Sequence, residues 1–379
     1  MDRSTLSRVA SDAIASARAV SDAAARRADA QDHDGGFPSE DVRDLARTGL
    51  LSAPIPSADG GAGLGEEAGS FRLLQVLRST GYGSLALGRI YEGHVNALQL
   101  IARYGDAAQR RHLFADAVAG HLFGVWNTEP ADGGTALTEI DGGYSLEGVK
   151  TFASGAGYVT RALITARHKP SDPPLMLVVP LDPGARSDLS TWRAQGMRAS
   201  ATGTLDFTGL TVDANALLGG PDDYHRQPCF SGGAWRFTAV QLGGIEAVFD
   251  TWRRHIKDAG RGADPHQLAR LGEGAIAVET ARQWVERAAL IASEDTLTSD
   301  RIIAFVNLAR LAVERAGLDV LQLAQRSVGL QGFLRNHPLE RLSRDLATYL
   351  RQPAPDRALT VAAAEILSAP EDVGDLWQL

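Results

Sequence analysis

The stretch that decides the fold runs Phe123-Gly124-Val125-Trp126-Asn127-Thr128-Glu129-Pro130 and is followed by Gly148-Val149-Lys150-Thr151-Phe152-Ala153-Ser154-Gly155. Each segment reads as a short strand running into a turn. Between them they hold two aromatics, Trp126 and Phe152, beside the short amide and hydroxyl side chains of Asn127, Thr128 and Ser154. On either side, from about residue 122 to 219, short apolar runs (144–148, 162–166, 175–181) alternate with Gly, Asp and Pro. A turn signal roughly every eight to twelve residues predicts a small antiparallel barrel or sandwich.

Outside that region the pattern turns helical. Apolar spacing predicts helices over 7–27, 40–51 and 66–78 upstream, and over 237–256, 267–292, 301–327 and 339–350 downstream. Phe37-Pro38-Ser39-Glu40 reads as a helix entry with Ser39 as the cap. Helix, β, helix along one chain predicts a mainly α protein with an inserted β domain: residues 1–121, 122–226 and 227–379. The loop Asp59-Gly60-Gly61-Ala62-Gly63-Leu64-Gly65 has neither a leading strand nor a following Lys-Ser/Thr, so it is not read as a phosphate cradle.

Composition narrows the classes. The chain has 379 residues, 44% hydrophobic and 22% charged, which is ordinary for a soluble globular protein. With a net charge of -8 and no long basic run, no nucleic-acid partner is expected. The one cysteine, Cys229, allows no disulfide framework. No stretch approaches the roughly 18 apolar residues of a membrane helix. The N-terminus carries Asp12, Asp22 and Asp29 with no apolar core segment, so it does not read as a signal peptide, and a cytoplasmic location is the expectation. His94, His225, His266 and His337 show no metal-ligand spacing, so no metal site is expected. No nucleophile elbow supports a Ser-His-Asp arrangement.

The two quoted segments resemble the flavin-facing part of the acyl-CoA dehydrogenase superfamily, where a Thr-Glu-Pro turn precedes a Gly-x-Lys-x-aromatic-x-Thr/Ser strand. Further segments are similar in the same order: Gly49–Pro54 with Gly60–Gly65, Tyr104-Gly105 with Gln109, Gly196–Thr202 with Phe207, and Gly329–Phe333 with Pro338–Arg341 and Arg344-Asp345. The resemblance implies an N-terminal helical domain, a small β-barrel or sandwich, a C-terminal four-helix bundle, a flavin, and a homo-oligomer, a dimer or tetramer. It implies that Trp126, Asn127, Thr128, Phe152 and Ser154 face the flavin, because that cofactor needs an aromatic wall and short polar groups at its ring edge. It also points to Arg261, Gln325 and Gly329 for the adenosine half of FAD. The segment around Arg261 lacks the usual Phe-Gly, and Arg326 stands where a glutamine is usual, so FMN is an alternative.

The departures from the pattern bear on function. A dehydrogenase needs a carboxylate base within reach of its substrate. That position falls near Pro353, and the alternative position on the first C-terminal helix falls within Ser231–Phe237; neither holds an acid. Asp356 is the nearest acid and is the expected surrogate base, with His94 as a second catalytic candidate. Tyr91-Glu92-Gly93 looks like the missing motif but lies on a predicted helix in the wrong domain. Three functions follow. The first is an acyl-CoA dehydrogenase-like oxidoreductase acting on an acyl thioester or related small molecule, with an electron-transfer flavoprotein as partner. The second is a monooxygenase using reduced flavin from a reductase, in which Asn127, Ser154 and His94 would line a dry pocket. The third is a non-catalytic relative.

Overall fold

The computed structural model describes residues 3–131 and 133–378. Five helices come first: α1 (Arg3–Gln31), α2 (Ser39–Arg47), α3 (Ser70–Gly83), α4 (Leu85–Tyr104) and α5 (Ala107–Val118). Ten strands follow: β1 (Phe123–Trp126), β2 (Ala136–Ile140), β3 (Gly143–Glu147), β4 (Val149–Ala153), β5 (Arg161–Ala166), β6 (Leu175–Pro180), β7 (Ser187–Asp188), β8 (Gly203–Asp206), β9 (Leu210–Asp213) and β10 (Leu217–Leu218). Helices return as α6 (Cys229–Gly232), α7 (Trp235–Asp258), α8 (Pro265–Ile291), α9 (Ser299–Val328), α10 (Pro338–Tyr349) and α11 (Pro355–Ser368).

Local differences from the sequence reading have local causes. Ser39 lies inside α2, whose cap is Pro38 with no side-chain hydrogen bond. The helix expected from residue 66 starts at Ser70, after a tight turn over Glu67–Gly69. The β region is three small sheets, ordered β1-β5-β6-β10, β2-β3-β9 and β4-β8-β7, and its β1–β5 pairing is parallel. Helix α11 lies beyond the last helix expected from apolar spacing, 339–350, because its residues are mostly exposed and bury only Ala358 and Ala362.

Glycines let the helical domains merge. α3 packs against α7, and α1 against α3. A side chain at Gly243 would collide with the Arg78 carbonyl, and one at Gly81 with the Val240 carbonyl, so backbone meets backbone at the α3–α7 crossing. The Gly196–Thr202 and Arg344-Asp345 signatures meet each other in space. Buried Asp345 accepts the Met197 N–H at 2.6 Å, and Arg341 and Arg344 bridge back to Asp29 (2.7 Å) and Asp32 (2.5 Å) on and just after α1. α10 is thereby pinned to the β region and to α1 at once.

α4 positions the site. It touches β1, the turn at Arg198–Ser200, α7 and α10. Ser84 caps it by accepting the Leu87 N–H. His94 is fully buried on it: its Nε2–H donates to the Leu51 carbonyl (2.7 Å) and its Nδ1 accepts the Phe123 N–H (3.1 Å). His94 therefore fastens α4 to the first residue of β1.

Candidate functional site

β4 is bulged between Lys150 and Ala153, and Phe152 sits there with φ of 52°, a left-handed conformation unusual for a side-chain-bearing residue. The bulge lifts Phe152 out of the sheet, 64% exposed, with the Trp192 ring edge-on at 6.2 Å. Trp126 is buried instead, and its indole N–H donates to the Ser154 carbonyl at 3.0 Å. The exposed aromatic wall is thus Phe152 with Trp192, and Trp126 ties β1 to the turn after β4 beneath it. Thr128 is exposed, its carbonyl accepting the Thr151 N–H at 2.9 Å. The Ser200 hydroxyl donates to the Met197 carbonyl at 2.7 Å, so the 2.7 Å bond between Thr202 and Ser200 takes the Thr202 proton. The 3.2 Å contact between Ser154 and Thr202 then takes the Ser154 proton, which leaves Ser154 oxygen lone pairs rather than a proton for the site.

The orientation of Asn127 follows from a chain of bonds. Lys150 is fully buried and donates to Glu129 and, at 3.1 Å, to the Thr165 hydroxyl. Thr165 must then spend its own proton on the Asn127 Oδ1, at 2.5 Å. The Asn127 NH2 is left pointing outward, its one partner being His225 Nε2 at 3.4 Å. His225 Nδ1 in turn donates to Asp222 at 2.7 Å. Burial lowers the Lys150 ammonium from its ordinary value despite Glu129. On Glu129, burial acts to raise the carboxyl, but Lys150 and the Thr135 amide outweigh it and hold it below its ordinary value. Both values fall, for different reasons: burial dominates on the lysine, the more buried partner, and pairing dominates on the glutamate. The pair pins the Thr-Glu-Pro turn to β4 and β5.

Across from this face stands a helical wall. Arg89, Glu92 and Asn96 form a polar stripe at i, i+3 and i+7 on otherwise apolar α4. Glu92 is buried, with one oxygen on Arg89 Nη1 (2.6 Å) and the other on the Asn96 NH2. Asn96 Oδ1 accepts from Arg236 Nε at 2.5 Å, at the start of α7. Burial lowers the Arg236 guanidinium to about 10, so it stays charged at neutral pH. Tyr349, at the end of α10, is buried with no partner for its hydroxyl, and burial followed by the Glu92 charge pushes it up. The same two causes push Tyr224 up to about 12. The Tyr224, His225 and Phe230 rings stack edge to face between this wall and Asn127, with centroids 5.0 to 5.4 Å apart.

The remaining candidates lie elsewhere. Both ring nitrogens of His94 are used by backbone groups, and burial pushes its pKa down to about 4, so it has no nitrogen to offer a substrate. Asp356 is exposed in the first turn of α11, with no hydrogen-bond partner among the described residues, so no pocket surrounds it. Arg261, Gln325 and Gly329 gather at the far end of the bundle: Arg261 donates to the Ser327 carbonyl at 3.5 Å, and the Gly329 N–H closes α9 on the Gln325 carbonyl. Among the described residues no cluster of three metal-ligating side chains occurs, and no helix is long and apolar enough to cross a membrane. Sequence reasoning missed Thr165, Trp192, the His225–Asp222 pair and the α4 stripe. The i, i+3, i+7 spacing of polar residues in an apolar helix was the available signal for the stripe.

An exposed aromatic wall edged by an oriented amide donor thus faces a buried polar wall on the helices. The acyl-CoA dehydrogenase N-terminal domain model matches residues 12–121, and the acyl-CoA dehydrogenase C-terminal domain model matches residues 226–350. The chain belongs to the acyl-CoA dehydrogenase family. It is 24% identical over 374 residues to a dibenzothiophene monooxygenase of Rhodococcus qingshengii, covering 89% of each chain. It is 25% identical over 334 residues to the probable FMNH2-dependent monooxygenase SfnC of Pseudomonas putida, covering 81% of this chain and 82% of that one. The fold superposes on FMN-bound TdsC from Paenibacillus sp. A11-2 with a TM-score of 0.82 and 19% identity, covering 98% of this chain and 100% of the other.

Proposed function

We propose that this protein is a cytoplasmic flavin-dependent monooxygenase that takes reduced FMN from a separate flavin reductase and oxygenates a small molecule. The observation that carries the reading is the chemistry of the wall facing Asn127. The two places where a dehydrogenase would keep its carboxylate base, near Pro353 and within Ser231–Phe237, hold no acid. Glu92, the buried acid of that wall, has both oxygens committed to Arg89 and Asn96. Neither of those places nor Glu92 offers a free carboxylate base, whereas Asn127 offers an oriented N–H. The similarity to a dibenzothiophene monooxygenase and to a probable FMNH2-dependent monooxygenase supports the same choice. FMN is favoured over FAD because the segment at Arg261 is short and lacks the usual Phe-Gly.

The exposed Phe152–Trp192 wall, the oriented N–H of Asn127 and the hydroxyl oxygen of Ser154 suit an isoalloxazine ring and its polar edge. Bound there, reduced flavin would supply the electrons that split O2, one oxygen atom entering the substrate and the other leaving as water. Phe152 and Trp192 would hold the ring by stacking and edge contact. Asn127, fixed by Thr165, would donate a hydrogen bond to charge that develops at the ring edge, and Ser154, fixed by Thr202, would accept one from a ring N–H. The Tyr224–His225–Phe230 rings would exclude water between the two walls. A homo-oligomer fits the exposed apolar side chains Leu330, Phe333 and Leu334 and the shallow groove between α8 and α9 around Ile276 and Leu323.

The test supplies FMN, a flavin reductase, NADH and isotopically labelled O2 with a panel of thioethers, indoles and sulfinates. Labelled oxygen in an organic product is the expected result. Hydrogen peroxide alone across the panel, or anaerobic bleaching of the bound flavin by acyl-CoAs, would overturn the reading.

A further inference from the structure

The helical wall carries a cation that the fold does not neutralise. Arg78, Arg161, Arg301 and Arg344 also bridge separate elements, and each meets a carboxylate, Glu246, Asp116, Glu365 and Asp32, within 2.5 to 2.8 Å. Arg236 meets none. Its Nε donates to the Asn96 amide, and its two Nη groups have no hydrogen-bond partner among the described residues. Glu92 is too engaged to serve it, since Arg89 takes one of its oxygens and Asn96 the other. Asn96 thus stands between Glu92 and Arg236, so that Glu92 acts on the guanidinium only through space, without a bond to it, and Arg103 opposes that charge from the same helix. Gly233 carries no side chain where one would strike the Arg236 Nη2, so the guanidinium has room to reach past the start of α7. Beside the same stripe the Tyr349 hydroxyl is buried without a partner.

A half-buried guanidinium with two free donor groups is costly unless a ligand completes it. Its fork geometry suits two oxygens of one acidic group. We infer that Arg236 forms an anion-recognition site between α4 and α7, and that the molecule oxygenated here bears a carboxylate, sulfinate or sulfonate. The word oxygenated rests on the monooxygenase reading; the anion site does not. The ring cluster of Tyr224, His225 and Phe230 would then cover the apolar body of the molecule, placing its oxidisable atom toward Asn127.

Calorimetric titration of the FMN-loaded protein with benzenesulfonate and with the neutral, near-isosteric benzenesulfonamide tests the site without turnover. The sulfonate should bind at least about tenfold more tightly, the span of one charge-assisted hydrogen bond. Arg236→Gln should erase that preference, and Arg236→Lys should restore part of it. Equal affinities, a preference that survives Arg236→Gln, or no sulfonate binding at millimolar concentration would each overturn the inference. A flavin phosphate is the other possible source of the anion. Comparing FMN with riboflavin separates the two: if Arg236→Gln weakens FMN and spares riboflavin, the site belongs to the cofactor and the substrate assignment fails. Repeating the sulfonate titration on flavin-free protein keeps the anion site testable even if no oxygenation is ever found.

Discussion

The β face around Asn127 and the helical wall around Asn96 are built alike and finish differently. In each, a carboxamide is oriented through a chain that includes a buried cation and a carboxylate. At the β face the cation, Lys150, lies at the inner end, paired with Glu129, and the amide NH2 is the free outer group. At the helical wall the amide is used up, its NH2 on Glu92 and its oxygen on Arg236, and the cation is the free outer group. The first arrangement presents a neutral donor to the site. The second presents a charge. Two walls with the same parts are thus suited to different tasks, one to a ring edge and one to an acidic substituent.

Removing the inner cation should have the largest effect. Lys150→Met leaves Glu129 and the Thr165 hydroxyl without their donor, and urea unfolding should show a loss of about 3 kcal/mol, the low end for a broken buried pair because Glu129 keeps some contact with water. A loss below about 1 kcal/mol would mean that the pair does not hold the turn. Next comes the joint between the walls. His94 is neutral when folded, with its pKa pushed down to about 4, whereas an unfolded histidine titrates near 6.5. Its contribution is therefore complete above about pH 6.5 and fades as pH falls toward 4, because in that window the unfolded chain binds the proton and the folded one does not. Stability measured at pH 5 should be about 2 kcal/mol below that at pH 8 on this account, and His94→Gln should flatten that slope. An unchanged slope in the variant would assign the acid sensitivity to other groups.

Smaller effects separate the walls by function. Thr165→Val frees Asn127 to turn, so product formed per NADH should fall about tenfold, the scale of a weakened transition-state hydrogen bond, with FMN affinity little changed. If product yield holds, Asn127 needs no fixing and the β face is a passive surface. Tyr349→Phe removes a buried hydroxyl that bonds to nothing, so stability should move by less than about 0.5 kcal/mol or rise slightly. A clear loss of stability would point to a structural role for that hydroxyl.

Much of the fold was legible because period and punctuation are local. The apolar spacing of α7 to α10 and the turn-rich texture between residues 122 and 219 foretell helix and strand without reference to neighbours. Ordered signatures such as Gly196–Thr202 and Arg344-Asp345 placed the chain in its family, and the structure supplies their reason, a direct bond from the Met197 N–H to Asp345. The candidate base was less legible. Asp356 was chosen by nearness along the chain, but its exposure depends on how α11 lies against α9, which no local pattern encodes.

The sequence by itself determined the helix–β–helix order, the family, the lack of an acid at the two expected base positions and the residues of the β face, because each is written in residue identity and short-range spacing. Only the tertiary structure decided that Trp126 is buried while Phe152 stands out, that His94 is spent on backbone groups, and that Arg236 ends a polar stripe without a carboxylate of its own. Those outcomes depend on which partners desolvation leaves within hydrogen-bonding distance once α4, α7 and β1 close on one another, and a partner brought from 140 residues away leaves no trace in local sequence.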